Sequence, residues 1–426
     1  MFKGENILLR AEIIAIGNEV ISGLIQDTNA RYLSNQLHLL GVNVSRITAV
    51  GDSGESITSA VEGALHRADV VITTGGLGST HDDITKEVLA RMFHSKIVVD
   101  PKAVDMLERM FKKRNRDNPG WKIPEGVRRQ CEVPEAATAL YNDEGTAPGL
   151  LFERNGKKVF ALPGVPVEMK HLFEKYIRSD LLKSQSGVIG HRILKMVGLT
   201  EASLWEKLGP VEPLEKLVTV ASLPSHLEVK VRLSFCAASV EAVEARLGQA
   251  EEKVMKAVGK WVYGKDDETL EGKIGELLKD KGLTLAVAES CTGGLIGHRL
   301  TQVSGSSGYF MEGTVTYSNE AKSSRLGVDA SLIREHGAVS CEVALAMAEG
   351  VRKSSGANIG LSVTGVAGPG ASENKPAGVV FVAINDGEDS CCEQFRFYHD
   401  RSRNKERSAQ AALDLLRRWL LNLIEK

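Results

Sequence analysis

The sequence predicts an α/β protein, with parallel sheets covered by helices toward both ends of the chain and a smaller α+β module between them. Three observations carry this. Short apolar runs of strand length alternate with stretches whose apolar residues recur at helical spacing. Two strand exits are rich in glycine, Thr73 to Lys86 and Glu289 to Gly294. Between them an alternating run, Leu227-Glu228-Val229-Lys230-Val231-Arg232-Leu233, marks a sheet with one solvated face.

The chain has 426 residues, more than one hydrophobic core usually serves. The polar stretch Ser184-Gln185-Ser186-Gly187 reads as a linker, and the expected segments are 1–183, 188–264 and 265–426. Lys and Arg total 53 against 55 Asp and Glu, a net charge of −2. That balance argues against a whole-molecule nucleic-acid binder. Six cysteines stand at 131, 236, 291, 341, 391 and 392 with no CxxC pair, as reduced cytosolic thiols do. No apolar run is long enough to span a membrane, so a cytoplasmic protein without a membrane partner is expected.

Ala11 to Ile16 form the first apolar strand, ending at Gly17 and followed by Asn18, Glu19 and a polar turn to Thr28. Tyr32, Leu33, Leu37 and Leu40 keep helical spacing. A strand over Val42 to Val50, a helix over Ile57 to His66 and a strand over Asp69 to Thr74 continue the alternation. Ligands of such sheets bind outside the carboxyl ends of the strands. There lies the most informative loop of this half, Thr73-Thr74-Gly75-Gly76-Leu77-Gly78-Ser79-Thr80-His81-Asp82-Asp83-Ile84-Thr85-Lys86.

A glycine-rich turn entering a helix offers N–H groups to a phosphate. The spacing is neither that of a Walker A loop nor the dinucleotide GxGxxG pattern. Asp82 and Asp83 add carboxylates able to hold a divalent cation against a pyrophosphate, and Glu19 points to the same end of the sheet. The plainer alternative is that Asp82 or Asp83 caps the helix starting at Ile84. Pro163-Gly164-Val165-Pro166 makes a rigid turn that either walls a nucleotide site or is only a strand exit.

Gly17-Asn18-Glu19, Asp27-Thr28-Asn29-Ala30, Val50-Gly51-Asp52, the Thr73 to Lys86 loop, Gly145-Thr146-Ala147-Pro148-Gly149 and Leu162-Pro163-Gly164-Val165-Pro166-Val167-Glu168-Met169 together resemble the N-terminal domain of the CinA family. The match covers about residues 11 to 172. It implies a MogA/MoaB-like, molybdopterin-binding fold and metal-dependent hydrolysis of ADP-ribose to AMP and ribose 5-phosphate. It further implies Gly75, Gly76, Gly78 and Asn29 as substrate contacts, Asp83 as a catalytic residue, and Glu19, Asp82 and Asp83 as ligands of magnesium or cobalt. Ser79 stands where the family usually has proline and Asn18 where it usually has threonine. Neither change removes a carboxylate.

The middle segment reads as a strand over Arg192 to Val197, a helix over Glu201 to Leu208, the alternating strand and an amphipathic helix over Val240 to Val258. The corresponding CinA segment resembles a KH-type fold. No Gly-X-X-Gly loop opens a basic helix here, so a spacer is the expected role and nucleic acid is not an expected partner.

In the last segment, Leu283 to Ala288 have a strand's length, and Leu295, Ile296, Leu300 and Val303 recur at helical spacing. The stretch reads as strand, turn, helix, with Ser290, Cys291 and Thr292 at a helix N-terminus that favours an anion. Gly293 and Gly294 let a ligand approach the backbone. Ser290 alone is equally a capping hydroxyl. Lys322, in Tyr317-Ser318-Asn319-Glu320-Ala321-Lys322, is a candidate base if burial lowers its pKa; otherwise it is a solvated lysine. Ile359 to Val363 and Val379 to Ile384 read as further strands, and the exit Thr364-Gly365-Val366-Ala367-Gly368-Pro369 either frames a phosphate or ribose or is a surface loop. The basic run Arg396, Arg401, Arg403, Lys405 and Arg407 is either a solvated face or a phosphate clamp.

Glu289-Ser290-Cys291-Thr292-Gly293-Gly294, the Tyr317 to Lys322 block, His336-Gly337-Ala338-Val339-Ser340, Thr364 to Pro369 and Lys375-Pro376 closely resemble the C-terminal domain of the CinA family, a nicotinamide mononucleotide deamidase. The resemblance implies Ser290 as nucleophile, Lys322 as base, Tyr317 in support, and Thr364 and Arg401 in the site, with Gly293, Gly294 and Gly368 contacting substrate. Between Gly370 and Lys375 the loop is about one residue shorter than usual in the family. The implied reaction is amide hydrolysis through an acyl-enzyme without a cofactor, its oxyanion held by N–H groups near Ser290 and Gly293. Cys291 is the competing nucleophile. The family also implies a homodimer. The alternative is a non-catalytic molybdopterin- or nucleotide-binding regulatory protein linked to competence.

Overall fold

The structure, a computed structural model, describes residues 9–114, 123–183, 187–398 and 400–424. The expected linker residues Ser184, Gln185 and Ser186 lie outside the described residues. Two compact units divide the chain, one built on the first sheet, the other on the second and third.

The first unit contains β1 (Arg10–Ile16), β2 (Asn43–Val50), β3 (Val70–Thr74), β4 (Ile97–Val99), β5 (Glu132–Pro134), β6 (Ala137–Leu140), β7 (Gly149–Arg154) and β8 (Lys157–Leu162). Six of these form one sheet in the order β2-β1-β3-β8-β7-β6. The first four run parallel, while β7 and β6 turn back antiparallel. All of β3 is buried, as an apolar run covered on both faces should be. Alternate side chains feed two cores: Ile13 and Ile72 meet Leu33, Leu37 and Phe160, while Ile14 and Val71 meet Ile57, Val61 and Phe152. Each such buried side chain contributes about 1.5–3 kcal/mol.

The helices expected around Leu33 and Ile57 run Thr28–Leu39 and Gly54–Arg67, capped by Asp27 and Ser53. The helix expected from Ile84 spans Thr85–Met92, and no side chain caps it. Asp82 and Asp83 are therefore not caps. Pro166 starts the helix Pro166–Leu172, where its missing N–H costs nothing.

In the second unit, β9 (Val188–Met196), β10 (Thr219–Pro224), β11 (Val229–Ala237) and β12 (Val262–Lys265) form a sheet ordered β10-β11-β9-β12. Val229, Val231 and Leu233 are buried while Lys230 and Arg232 are half-buried, as the alternation predicts. The helices Glu201–Leu208 and Val240–Val258 fall where the periodicity places them.

The third sheet joins β13 (Leu285–Glu289), β14 (Phe310–Val315), β15 (Ile359–Gly365), β16 (Val379–Asn385) and β17 (Ser390–Arg396) in the order β14-β13-β15-β16-β17. β14, β13 and β15 are parallel; β16 and β17 are antiparallel. On β13, Leu285 and Val287 face a core shared with the terminal helix Arg401–Leu420, and Ala286 and Ala288 face the helix Cys341–Ser355. The small alanines let that helix lie close. Closest of all is Gly360, where an added Cβ would overlap the Ala348 carbonyl oxygen.

The same core takes in Val197 and Tyr263 of the middle module. Arg417, 1% exposed, pairs with Asp414 and donates to the Lys260 carbonyl at 3.1 Å. These contacts bind the second and third sheets into one body.

Candidate active site

The site of the last domain is built on the end of β13. Glu289 is 1% exposed and accepts from the N–H groups of Gly294, Ile296 and Gly297 at 2.9, 3.2 and 2.9 Å. It satisfies donors that the start of the helix Leu295–Thr301 would otherwise leave open. Gly293 and Gly294 sit at φ 63 and 93°, conformations that a side chain would resist. The turn is thereby pinned from both sides, and Ser290 stands at its head, 8% exposed.

Lys322 reaches Ser290 from the helix Asn319–Leu326. Its Nζ lies 3.1 Å from Ser290 Oγ and 3.0 Å from the Thr316 carbonyl oxygen, and the residue is 2% exposed. Burial lowers the lysine pKa from its usual value, against a smaller opposing pull from the Cys291 thiol and Glu373. A buried amine tied to one hydroxyl is the arrangement that activates a serine. Neither the solvated-lysine reading nor the capping-serine reading describes this pair.

Cys291 is 5% exposed, and burial pushes its thiol up to about 12. The helix N-terminus does not yield a thiolate here, because desolvation of the charged sulfur outweighs it.

The N–H groups near Ser290 and Gly293, expected to hold an oxyanion, divide into engaged and open ones. The Ser290 N–H is bound to the Val363 carbonyl at 3.0 Å and the Gly293 N–H to the Ser290 carbonyl at 3.1 Å. Ser290 follows directly on β13, so its N–H still belongs to the ladder with β15. Among the described residues no carbonyl or carboxylate takes the N–H of Cys291 or Thr292, and these are the donors left for an oxyanion.

Thr364 is buried at the end of β15, with its hydroxyl donating to the Ala338 carbonyl at 2.7 Å. It positions the His336 to Ser340 segment. Tyr317 is 62% exposed, and its hydroxyl accepts from Arg401 at 2.8 Å, so it does not touch the serine–lysine pair. Arg401 also donates to the Gly368 carbonyl at 2.6 Å, which brings Tyr317, Gly368 and Arg401 together. The sequence places Lys405 in the basic run without singling it out. A Cβ on Gly293 would lie 3.5 Å from Lys405 Nζ, so its ammonium stands beside the serine turn. Lys405 is four residues after Arg401, on the same helix face, and that spacing was the available signal.

In the first unit, a cavity of about 580 Å³ opens at the carboxyl ends of β1 and β3. Glu19, Asn29, Gly75, Gly76, Gly78, Asp82 and Asp83 all line it, as do Pro163 to Pro166 of the rigid turn. Gly75 and Gly76 have φ 111 and 69°, and a Cβ on them would overlap the Ile16 carbonyl and the Thr85 hydroxyl. Asn29 donates to Thr74 Oγ1 at 3.0 Å and the Gly164 carbonyl at 2.7 Å, while its buried Oδ1 has no partner.

Asp82 and Asp83 both accept from the Thr80 hydroxyl, so their carboxylates converge on one point. Among the described residues no three His, Cys, Asp or Glu side chains gather so as to hold a metal ion. Asp82 and Asp83 stand as a pair, with Glu19 elsewhere on the wall of the same cavity. Two carboxylates suit a magnesium-type ion whose other ligands are water and substrate phosphates. All six cysteines are free, and among the described residues no helix is long and apolar enough to cross a membrane.

Fold and sites define a mixed α/β protein with a MoaB-like front domain, a KH-like module and a last domain that holds a buried serine–lysine pair. Residues 12–183 match the family described as "Probable molybdopterin binding domain", 191–264 the "Damage-inducible protein CinA KH domain" and 267–420 the "CinA C-terminal domain". The chain is 42% identical over 417 residues to a CinA-like protein of Salinibacter ruber, covering 97% of this chain and 100% of that one. It is 39% identical over 417 residues to a CinA-like protein of Kosmotoga olearia, covering 98% and 100%. A solved structure of the competence/damage inducible protein CihA from Agrobacterium tumefaciens is 38% identical, with TM-score 0.35, covering 36% of this chain and 93% of that one. The chain belongs to the CinA family.

Proposed function

We propose that the last domain is an amidohydrolase that converts nicotinamide mononucleotide to nicotinic acid mononucleotide and ammonia. The observation that supports this most is the 3.1 Å contact between Lys322 Nζ and Ser290 Oγ, both buried. In this reading, neutral Lys322 takes the Ser290 proton as Oγ attacks the carboxamide carbon. The N–H groups of Cys291 and Thr292 face the developing oxyanion. The lysine then returns its proton to the leaving nitrogen, ammonia departs, and water resolves the acyl-enzyme by the same route. Arg401 and Lys405 supply the cations for the 5′-phosphate. The test is ammonia release from nicotinamide mononucleotide by the wild-type chain and by Ser290→Ala. Activity that survives the substitution sinks the nucleophile assignment, and a folded but inactive wild type favours a nucleotide sensor.

For the front domain, the proposed reaction is hydrolysis of ADP-ribose to AMP and ribose 5-phosphate. A divalent ion such as magnesium or cobalt, held by Asp82 and Asp83, would supply neutralisation of the pyrophosphate charge. The loop N–H groups around Gly75, Gly76 and Gly78 cradle phosphate oxygens, and Asn29 offers its buried Oδ1 to the sugar or base. Metal-dependent AMP release is the test.

A further inference from the structure

Apart from both proposed sites, a cavity of about 300 Å³ lies within the second unit, between the middle module and the last domain. Val197, Leu199 and Leu227 line it from the module, and Phe395, Phe397 and Gln410 from the last domain. Phe395 and Phe397 are stacked, with 15° between planes and 5.9 Å between ring centres, and form an aromatic wall. Gln410 stands against it in the terminal helix, 5% exposed, and its buried Oε1 has no hydrogen-bond partner. A buried amide oxygen without a partner is destabilising, and a donor group of a ligand would satisfy it.

The charged groups around the cavity have partners within the chain. Asp414 is paired with Arg417 and Arg418, Glu228 with the Tyr263 hydroxyl and Lys230, and His226 with Glu406. Arg407 lies over the Phe397 ring at 5.4 Å. The unmet demand is therefore for a flat, neutral group that donates to an amide, with a cation close by.

We propose that this cavity binds the adenine ring of a nucleotide. A glutamine amide pairs with the amino and ring-nitrogen edge of adenine through two hydrogen bonds. Leucine, valine and phenylalanine surfaces take the two faces of the ring, and Arg407 provides the cation for the phosphate. The size fits the small end of nucleotide-sized ligand sites.

The experiment is photolabelling of the full chain with 8-azidoadenosine 5′-monophosphate, followed by peptide mapping, because the front domain could also take the probe. The expected result is label on peptides spanning 197–200, 225–228 or 395–414. AMP should suppress it, and ribose 5-phosphate at the same concentration should not. Gln410→Leu should weaken that label about tenfold, the effect of losing such an amide pair. Ala411→Phe, which fills the cavity without touching the amide, should abolish it and keeps the test open if Gln410→Leu does not fold. Label confined to residues 9–183, equal suppression by ribose 5-phosphate, or full labelling of a folded Ala411→Phe chain each overturns the proposal.

Discussion

Lys322 Nζ stands 3.1 Å from Ser290 Oγ although 32 residues separate them, because parallel strands β13 and β14 deliver the serine turn and the lysine helix to the same sheet end. The amine also holds the Thr316 carbonyl, so it is aimed by the backbone as well as by the serine. Ser290→Ala and Lys322→Ala should each lower ammonia release by about 10⁴-fold or more, since the pair acts as a unit. Cys291→Ala should leave kcat/KM near the wild-type value. Single-turnover ammonia assays on the three variants check this.

The pH dependence follows from the same pair. Lys322 must be neutral to accept a proton, and burial lowers its pKa. The rising limb of kcat/KM should therefore lie below the ordinary lysine value of about 10.4. Glu373→Gln, which removes a carboxylate opposing the shift, should move the limb to still lower pH. The depressed pKa also ties stability to pH: the contribution is complete above the unfolded lysine pKa and is lost as pH falls through the folded one. A pH–rate profile of both proteins tests the first two statements.

Glu289→Gln should destabilise the last domain by about 2–3 kcal/mol, because an amide offers its own N–H groups to backbone donors that a carboxylate accepts. The urea midpoint measures it. Activity should fall together with stability, since the Ser290 turn hangs from the same carboxylate.

Lys405→Ala should raise KM for nicotinamide mononucleotide about tenfold or more with a smaller effect on kcat, as loss of a charged phosphate contact does. Arg401→Ala should do the same and also release Tyr317 and Gly368. Removing the ribose phosphate from the substrate should erase the difference between Lys405→Ala and wild type.

In the front domain, Asp83→Ala and chelation by EDTA should each abolish AMP release from ADP-ribose, with deamidation unaffected. Product chromatography of the two reactions in one preparation checks this.

Periodicity located most of the frame. The helices Glu201–Leu208 and Val240–Val258 are read directly from their apolar spacing, and β3 from its continuous apolar run. Strand ends were less legible: which N–H groups near Ser290 stay open depends on the neighbouring β15, whose Val363 carbonyl takes the Ser290 N–H. Ser290, Lys322 and Thr364 were legible through family blocks, whereas Lys405 lies in a basic run that local sequence does not separate into solvated and inward members. Asp82 and Asp83 look like helix caps in sequence, and only the position of Thr80 shows them turned toward each other. Glu19 shares the cavity wall with Asp82 and Asp83, and among the described residues the three do not gather into one cluster, a separation that sequence does not reveal.

Gly360 has a wider meaning for how this chain can vary. With no room between its Cα and the Ala348 carbonyl, any larger residue there must push the helix Cys341–Ser355 outward, and with it Ser340 and the segment that Thr364 grips. A position that touches neither nucleophile nor base thus has a veto over their surroundings, and drift in this family should be frozen at 360 while it runs freely along the solvent side of the same helix.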